Sequence, residues 1–338
     1  MTESGMGRRI GNRRYGLLQV RELRAIALLV IVVVGTYLIQ PRYLNPNSLR
    51  SILIWIPLVA IIGMGEMMVI IIRGIDVSVG SIVGLAGLTV GMLFRDVPGF
   101  PVFLAVIISI LIGLALGSLN GAIVSRAHVP GVIVTLGGLS AYRGVTFLIT
   151  RGSQIDGNYI PKSLIRWSQL GPLGIREVPW IVVIVLAIAL ITWVIFHYTR
   201  LGRDIYALGS NPEAARLRGV AVQRVTFFAY AFTGALSGLA GILYSSRFGF
   251  LNPGQTGVGM EMTVIAAVVI GGVSPFGGSG SVLGVLLGCL LLGAVNVALA
   301  VLGIAGAWQL AVYGAVILLA VASDAIFQVG LHRADRSE

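Results

Sequence analysis

Residues 52–72 read ILIWIPLVAIIGMGEMMVIII, twenty-one positions with a single ionisable side chain, Glu66. As a helix rising ~1.5 Å per residue, such a run matches a hydrocarbon layer about 30 Å thick. Its apolar residues are continuous rather than alternating, so a half-buried strand is a poor description. Working outward, similar runs recur at roughly 24–40, 77–94, 101–125, 132–150, 178–197, 225–245, 262–273, 281–303 and 308–323. The pattern predicts an all-α polytopic membrane protein with about ten transmembrane helices.

The composition agrees. Hydrophobic residues make up 57% of 338 and charged residues 11%, with a mean hydropathy of +0.95. That surplus of apolar surface excludes a water-soluble globule, whose charged fraction is about twice as large. Barrel strands are excluded as well, because they would alternate apolar and polar positions over short segments. The one cysteine, Cys289, cannot form an intrachain disulfide.

Net charge is +11, almost all of it arginine, since Lys162 is the only lysine. In this composition the excess points to cytoplasmic loops and anionic lipid headgroups rather than to nucleic acid. With the amino terminus inside and ten crossings, inner segments hold Arg8, Arg9, Arg13, Arg14, Arg21, Arg24, Arg73, Arg126, Arg200, Arg203, Arg216, Arg218, Arg224, Arg333 and Arg336. Outer segments hold Arg42, Arg50, Arg95, Arg151, Lys162, Arg166, Arg176 and Arg247. This bias predicts that both termini are cytoplasmic. The expected organisation is a basic segment 1–24 leading into a retained anchor, a transmembrane domain 25–323, and a cytoplasmic tail 324–338. Within the domain lie an extracytoplasmic loop 151–177 and a cytoplasmic loop 198–224.

Glycine-rich polar breaks occur at 73–81, RGIDVSVGS, and at 271–281, GGVSPFGGSGS. Each reads either as non-helical backbone lining a pathway or hinge, or as a tight cytoplasmic turn. They take similar places in the two halves of the chain, so five spans per half suggest an inverted repeat. Glu66, Asp76, Arg143 and Glu261 are the ionisable residues in or beside apolar runs, and they should face the bundle interior. Glu66 and Arg143 are expected to form a buried ion pair. With Ser78, Gly277 and Gly278 from the breaks, these residues are the candidates for a translocation pathway or gate.

In the loop 198–224, Asn211 offers an N-cap, Pro212 fits the first helical position and Glu213 suits the positive helix end. Gly219 closes the segment, so a rigid helix of about two turns is predicted, either a docking stub for a soluble partner or a solvated connector. The outer loop sets Tyr159 and Trp167 among basic residues. It could receive an acidic extracytoplasmic protein or lie on lipid headgroups. No G-x-x-x-x-G-K-[ST] loop is present, so this chain is not expected to hydrolyse nucleotide. His128, His197 and His332 are isolated, no pair has metal-ligand spacing, and no G-x-S-x-G elbow appears, so no metal and no enzyme activity are expected.

Four ordered segments resemble the permeases of bacterial ribose-type ABC sugar importers: 73–81, PGVIVTLGGLSAYRGVTFLITRG at 130–152, GRDIYALGSNPEAARLRGV at 202–220, and EMTVIAAVVIGGVSPFGGSGSVLG at 261–284. The likeness is greatest to the permeases of autoinducer-2 importers and their rhamnose-importing relatives, and runs from about residue 25 to 324. It implies a permease in the cytoplasmic membrane that works in a pair, with itself or a sister chain. Two ATP-binding-cassette subunits lie inside, a sugar-binding protein lies outside, and ATP and Mg are bound by the ATPase rather than by this chain. It also implies that Gly202 to Gly219 is the segment coupling to the ATPase. Gly202, Arg203, Tyr206, Gly209, Asn211, Glu213, Ala214, Ala215 and Gly219 are its candidate residues, with Ala214 and Ala215 matching the small pair that lets the helix sit close in a groove. The chain departs from the common pattern where Arg73 precedes Gly74, a position at which many members carry a second glycine. A stand-alone secondary carrier using Glu66, Asp76, Arg143 and Glu261 is the competing reading.

Overall fold

The computed structural model describes residues 4–127, 129–172 and 178–305 with scattered positions from 308 to 318, and side chains from Glu22 onward. The expected tenth span 308–323, the tail 324–338, His128, Arg176 and Glu177 lie wholly or largely outside the described residues.

Helices α1 (Ser4–Ile39) and α2 (Pro46–Ile71) are joined by a 3-10 turn, Pro41–Leu44. Asn45 caps α2 by accepting from the Ser48 amide at 2.7 Å, and Pro46 occupies the first turn, where its missing N–H costs nothing. Helices α3 (Val79–Asp96), α4 (Val102–Ala127) and α5 (Gly131–Thr150) follow, then a short amphipathic α6 (Lys162–Gln169) and α7 (Trp180–Tyr198). Two short helices, α8 (Arg200–Ser210) and α9 (Pro212–Leu217), fill the loop where one was expected. The chain continues with α10 (Val222–Phe248), α11 (Met260–Ile270) and α12 (Val282–Val301). Eight of these helices are long and apolar enough to cross a membrane, and α11 is a shorter apolar helix.

Helix α2 is buried almost all round and forms the centre of the bundle. Helices α1, α4, α5 and α7 instead leave large apolar side chains uncovered, among them Leu38, Phe103 and Leu148 at 72–77% exposure. Surfaces of that kind are stable against lipid and not against water. In lipid, helix association depends on close packing rather than on apolar transfer, which explains the glycines between α4 and α10. A Cβ on Gly117 would run into the Tyr230 carbonyl and one on Gly113 into that of Gly234. Ser109 adds a bond across the same seam, donating to the Gly238 carbonyl at 2.6 Å.

The helix pairings repeat when the halves are exchanged, with α2, α3 and α4 taking the places of α10, α11 and α12. Helix α4 packs on α10 as α12 packs on α2, α3 meets α10 as α11 meets α2, and α3–α4 mirrors α11–α12. This corrects one expectation. The counterpart of the break before α3 is the 249–259 segment before α11, whereas 271–281 corresponds to the short 97–101 connection. Equal sequence appearance misled here, because both quoted breaks are glycine-rich while the true counterpart carries its glycines at 249, 254, 257 and 259 among other residues.

Candidate functional site

Residues 72–78 leave the end of α2 and turn back beside it. Arg73 takes a left-handed backbone conformation, φ 67°, which costs any residue but glycine roughly 1–2 kcal/mol. The turn then runs back into the bundle, where the Asp76 amide donates to Glu66 Oε1 at 2.9 Å. Asp76 Oδ1 accepts from the Ser78 amide at 2.9 Å and the Ser78 hydroxyl at 2.6 Å. Ser78 Oγ accepts from Asn120 Nδ2 at 2.9 Å, and Asn120 Oδ1 accepts from the Tyr142 hydroxyl at 2.7 Å. Thr135 on α5 accepts from the Val77 amide at 3.2 Å and donates to carbonyls including that of Gly131, at 3.0 Å. Glu66, Asp76 and Ser78 are fully buried. Glu66 Oε2, Asp76 Oδ2 and the Tyr230 hydroxyl make no hydrogen bond among the described residues.

Arg143 is not part of this cluster, so the expected Glu66–Arg143 ion pair does not form. Its guanidinium donates to the Thr256 carbonyl at 2.8 Å and the Pro253 carbonyl at 3.3 Å, and its charged neighbour is Glu261. The reason lies in the 249–259 segment, which enters the bundle from the opposite end and lies against α3. A Cβ on Gly80 would strike the Gly257 carbonyl, and one on Gly257 would strike that of Gly80. The segment is tied to the 151–172 loop by paired backbone bonds between Ile155 and Leu251 and by Asn252 Nδ2 donating to Gln154 at 3.1 Å.

At the α8–α9 end, three segments converge. Arg73 Nε donates to the Gly209 carbonyl at 2.8 Å and Nη2 to that of Ser210 at 2.9 Å. The Gly278 amide donates to the Ile71 carbonyl at 2.9 Å, and the Tyr206 hydroxyl to the Gly280 carbonyl at 2.7 Å. Burial pushes the Tyr206 phenol up to about 12. Gly209 is obligatory, since a Cβ there would collide with the Ile71 carbonyl. Gly277 and Gly278, expected with the carboxylates, therefore belong to this junction, where a cavity of about 530 Å³ is lined by Arg73, Gly209, Ser210, Pro275, Phe276 and Gly277. Gly202 packs on the end of α7 and Arg203 faces out.

Helix α9 has the expected caps. Asn211 Oδ1 accepts from the Ala214 amide at 3.0 Å, and Gly219, φ 82°, ends the helix. Its faces were only partly legible. Ala215 is buried inside the chain at 3% exposure, Glu213 and Ala214 face outward, and Leu217 stands 90% exposed. Leu217, Asn120, Thr135, Tyr142 and Tyr230 were not singled out from sequence. Asn120 could have been, because a lone amide in the apolar run of α4 obeys the same rule as a lone charge.

A lipid-facing helical bundle with a buried polar turn, gripped from one end by a rigid pair of short helices, is the architecture of a membrane permease. The chain belongs to the family described as branched-chain amino acid transport system / permease component, whose model matches residues 48–321. It is 38% identical over 327 residues to the ribose import permease protein RbsC of Escherichia coli (strain K12), covering 96% of this chain and 98% of that one. It is 34% identical over 313 residues to the autoinducer 2 import system permease protein LsrC of Escherichia coli (strain K12 / DH10B), covering 93% and 89%. No solved structure matches the chain.

Proposed function

We propose that this chain is the membrane-spanning permease subunit of an ABC importer that moves a monosaccharide or similar small polyol, of the ribose or autoinducer-2 kind, across the bacterial cytoplasmic membrane. ATP hydrolysis takes place in a partner subunit that binds ATP and Mg, and α8–α9 is the coupling element. The termini and the α8–α9 end face the cytoplasm. An extracytoplasmic binding protein delivers cargo at the opposite end, onto the 151–172 and 249–259 segments, and a second permease copy or a sister chain completes the pathway.

The observation that carries this reading is the junction of Arg73, Gly209 and Gly278. It joins an outward-facing helix to the turn bearing Asp76 through hydrogen bonds, so displacement of α9 pulls on the polar centre of the bundle. Coupling of this kind requires the partner to contact two bundle arrangements unequally, since equal contact shifts nothing. Ala214 and Leu217 form the face offered to the ATPase, flanked by Glu213 and Arg218.

The test is reconstitution in liposomes with and without the ATPase and binding protein, measuring sugar uptake under ATP and under an imposed proton gradient. ATP-dependent uptake needing all subunits is expected. Uptake driven by the gradient alone would instead establish a secondary carrier built on the Glu66–Asp76 pair.

A further inference from the structure

Two cavities flank the α2–α10 pair, one toward each end of the bundle. The one at the α8–α9 end encloses about 550 Å³ between the end of α2, the end of α4 and the start of α10. The other, about 260 Å³, lies between the start of α2, the end of α10, α12 and the 255–260 segment. Exchanging the two halves turns the first set of elements into the second, so the outer cavity is the repeat's counterpart of the inner one.

Their chemistry differs. The inner cavity carries Arg73, Arg216 and Arg224. The outer is walled by Trp55, Tyr244 and Phe248 with Arg247, Gln255 and Asn296 among them. The Tyr244 hydroxyl and the Gln255 side-chain amide make no hydrogen bond among the described residues, and Arg247 rests its guanidinium 5.3 Å from the Phe248 ring centre. Tyr244 and Arg247 are half-buried and Gln255 is exposed, so among the described residues their polar groups are left open to a ligand. Aromatic faces beside amide, hydroxyl and guanidinium donors suit a ligand with apolar C–H faces and a rim of hydroxyls. The volume admits about nine waters at ~30 Å³ each, the size class of a five- or six-carbon polyol. Its lining includes the backbone at Gly257 and Gly259, both with φ 76°, and Gly257 sits directly on the Gly80 backbone of α3. An occupant would therefore touch the segment held by Arg143.

We propose that the outer cavity is a polyol-binding site inside a single protomer, holding cargo with the ring of Trp55 and the polar groups of Tyr244, Arg247 and Gln255. This deepens the importer reading and rests on it. The site receives cargo after release from the binding protein, and its position against the 255–260 segment lets occupancy bias that segment's packing on α3.

The experiment uses the full-length permease in lipid nanodiscs, without binding protein or ATPase, and saturation-transfer NMR with D-ribose and with ribitol as probes. Saturable transfer at millimolar concentration is expected, with affinity reduced about fivefold in Tyr244→Phe and in Gln255→Leu, one hydrogen bond each, and abolished in Trp55→Leu. Tyr244→Phe preserves the ring, so its effect does not depend on a folding defect, and assembly with the ATPase checks the other variants. Absent or unsaturable transfer, or transfer equal in all three variants, overturns the site. If that happens while the full complex still imports sugar under ATP, the importer reading stands alone. If the variants weaken binding but the complex shows no ATP-driven uptake, the site stands and the importer reading falls.

Discussion

Replacing Arg73 separates two roles that the structure gives to one residue. Its left-handed backbone costs roughly 1–2 kcal/mol that glycine would not incur. Its guanidinium makes two charge-assisted hydrogen bonds to the end of α8. Such bonds contribute about 1.5–3 kcal/mol each when shielded, and the solvent-exposed one to Ser210 much less, so together they hold the junction by about 2–3 kcal/mol. At 1.4 kcal/mol per decade, losing both loosens it by about 30- to 150-fold. Arg73→Ala loses the bonds and keeps the strain, while Arg73→Gly loses the bonds and relieves it. The expected order of thermal stability in nanodiscs therefore places the glycine variant above the alanine variant by about 1 kcal/mol. Both should expose the amides of Gly209, Ser210 and Gly278 to hydrogen exchange at least about tenfold faster, and both should hydrolyse ATP in the assembled complex with reduced uptake per ATP. Exchange unchanged in Arg73→Ala would refute the clamp. Equal stability of the two variants would refute the strain.

On α9, Ala214→Arg and Leu217→Asp should each weaken ATPase assembly at least about tenfold in pull-down without lowering permease yield, whereas Ala215→Arg should destabilise the permease itself, by about 1–3 kcal/mol or more, because that site is buried in the chain. Glu66→Gln keeps an acceptor for the Asp76 amide and should retain ATP-driven uptake, while Glu66→Leu leaves that amide unsatisfied and should cost about 1–3 kcal/mol in thermal unfolding. Gly117→Val should abolish folding, read as loss of a monodisperse chromatographic peak, since the Tyr230 carbonyl occupies the space. Because burial raises the Tyr206 phenol to about 12, above its ordinary value near 10, its bond to Gly280 contributes fully below pH 10 and is lost as pH rises through 12. Tyr206→Phe should then differ from the parent in melting temperature at pH 8, and the difference should shrink from about pH 10 upward and close only as the pH reaches about 12.

Much of this molecule is local information. Runs near twenty apolar residues set the spans whatever their neighbours are, and the caps of α9 are bonds within a few residues, so Asn211, Pro212 and Gly219 were readable in order. The motif at 202–220 marked the segment proposed to couple to the ATPase, although α8 was missed: its amphipathic face shows only where the core lies. Arg73 was visible as a departure, but its reason, a left-handed turn clamped to Gly209, was not.

The sequence alone determined that the chain is a multi-pass helical membrane protein, which apolar runs form its long helices among the described residues, and which permease family it joins. Only the tertiary structure decided that Glu66 meets Asp76 and not Arg143, that the 249–259 segment and not 271–281 answers the break at 72–78, and that Leu217 rather than Ala215 faces out. Helices apolar on every side carry no marked inner face, so their rotation and depth are chosen by glycine contacts between partners far apart in the chain, and those contacts alone select which buried polar groups come together.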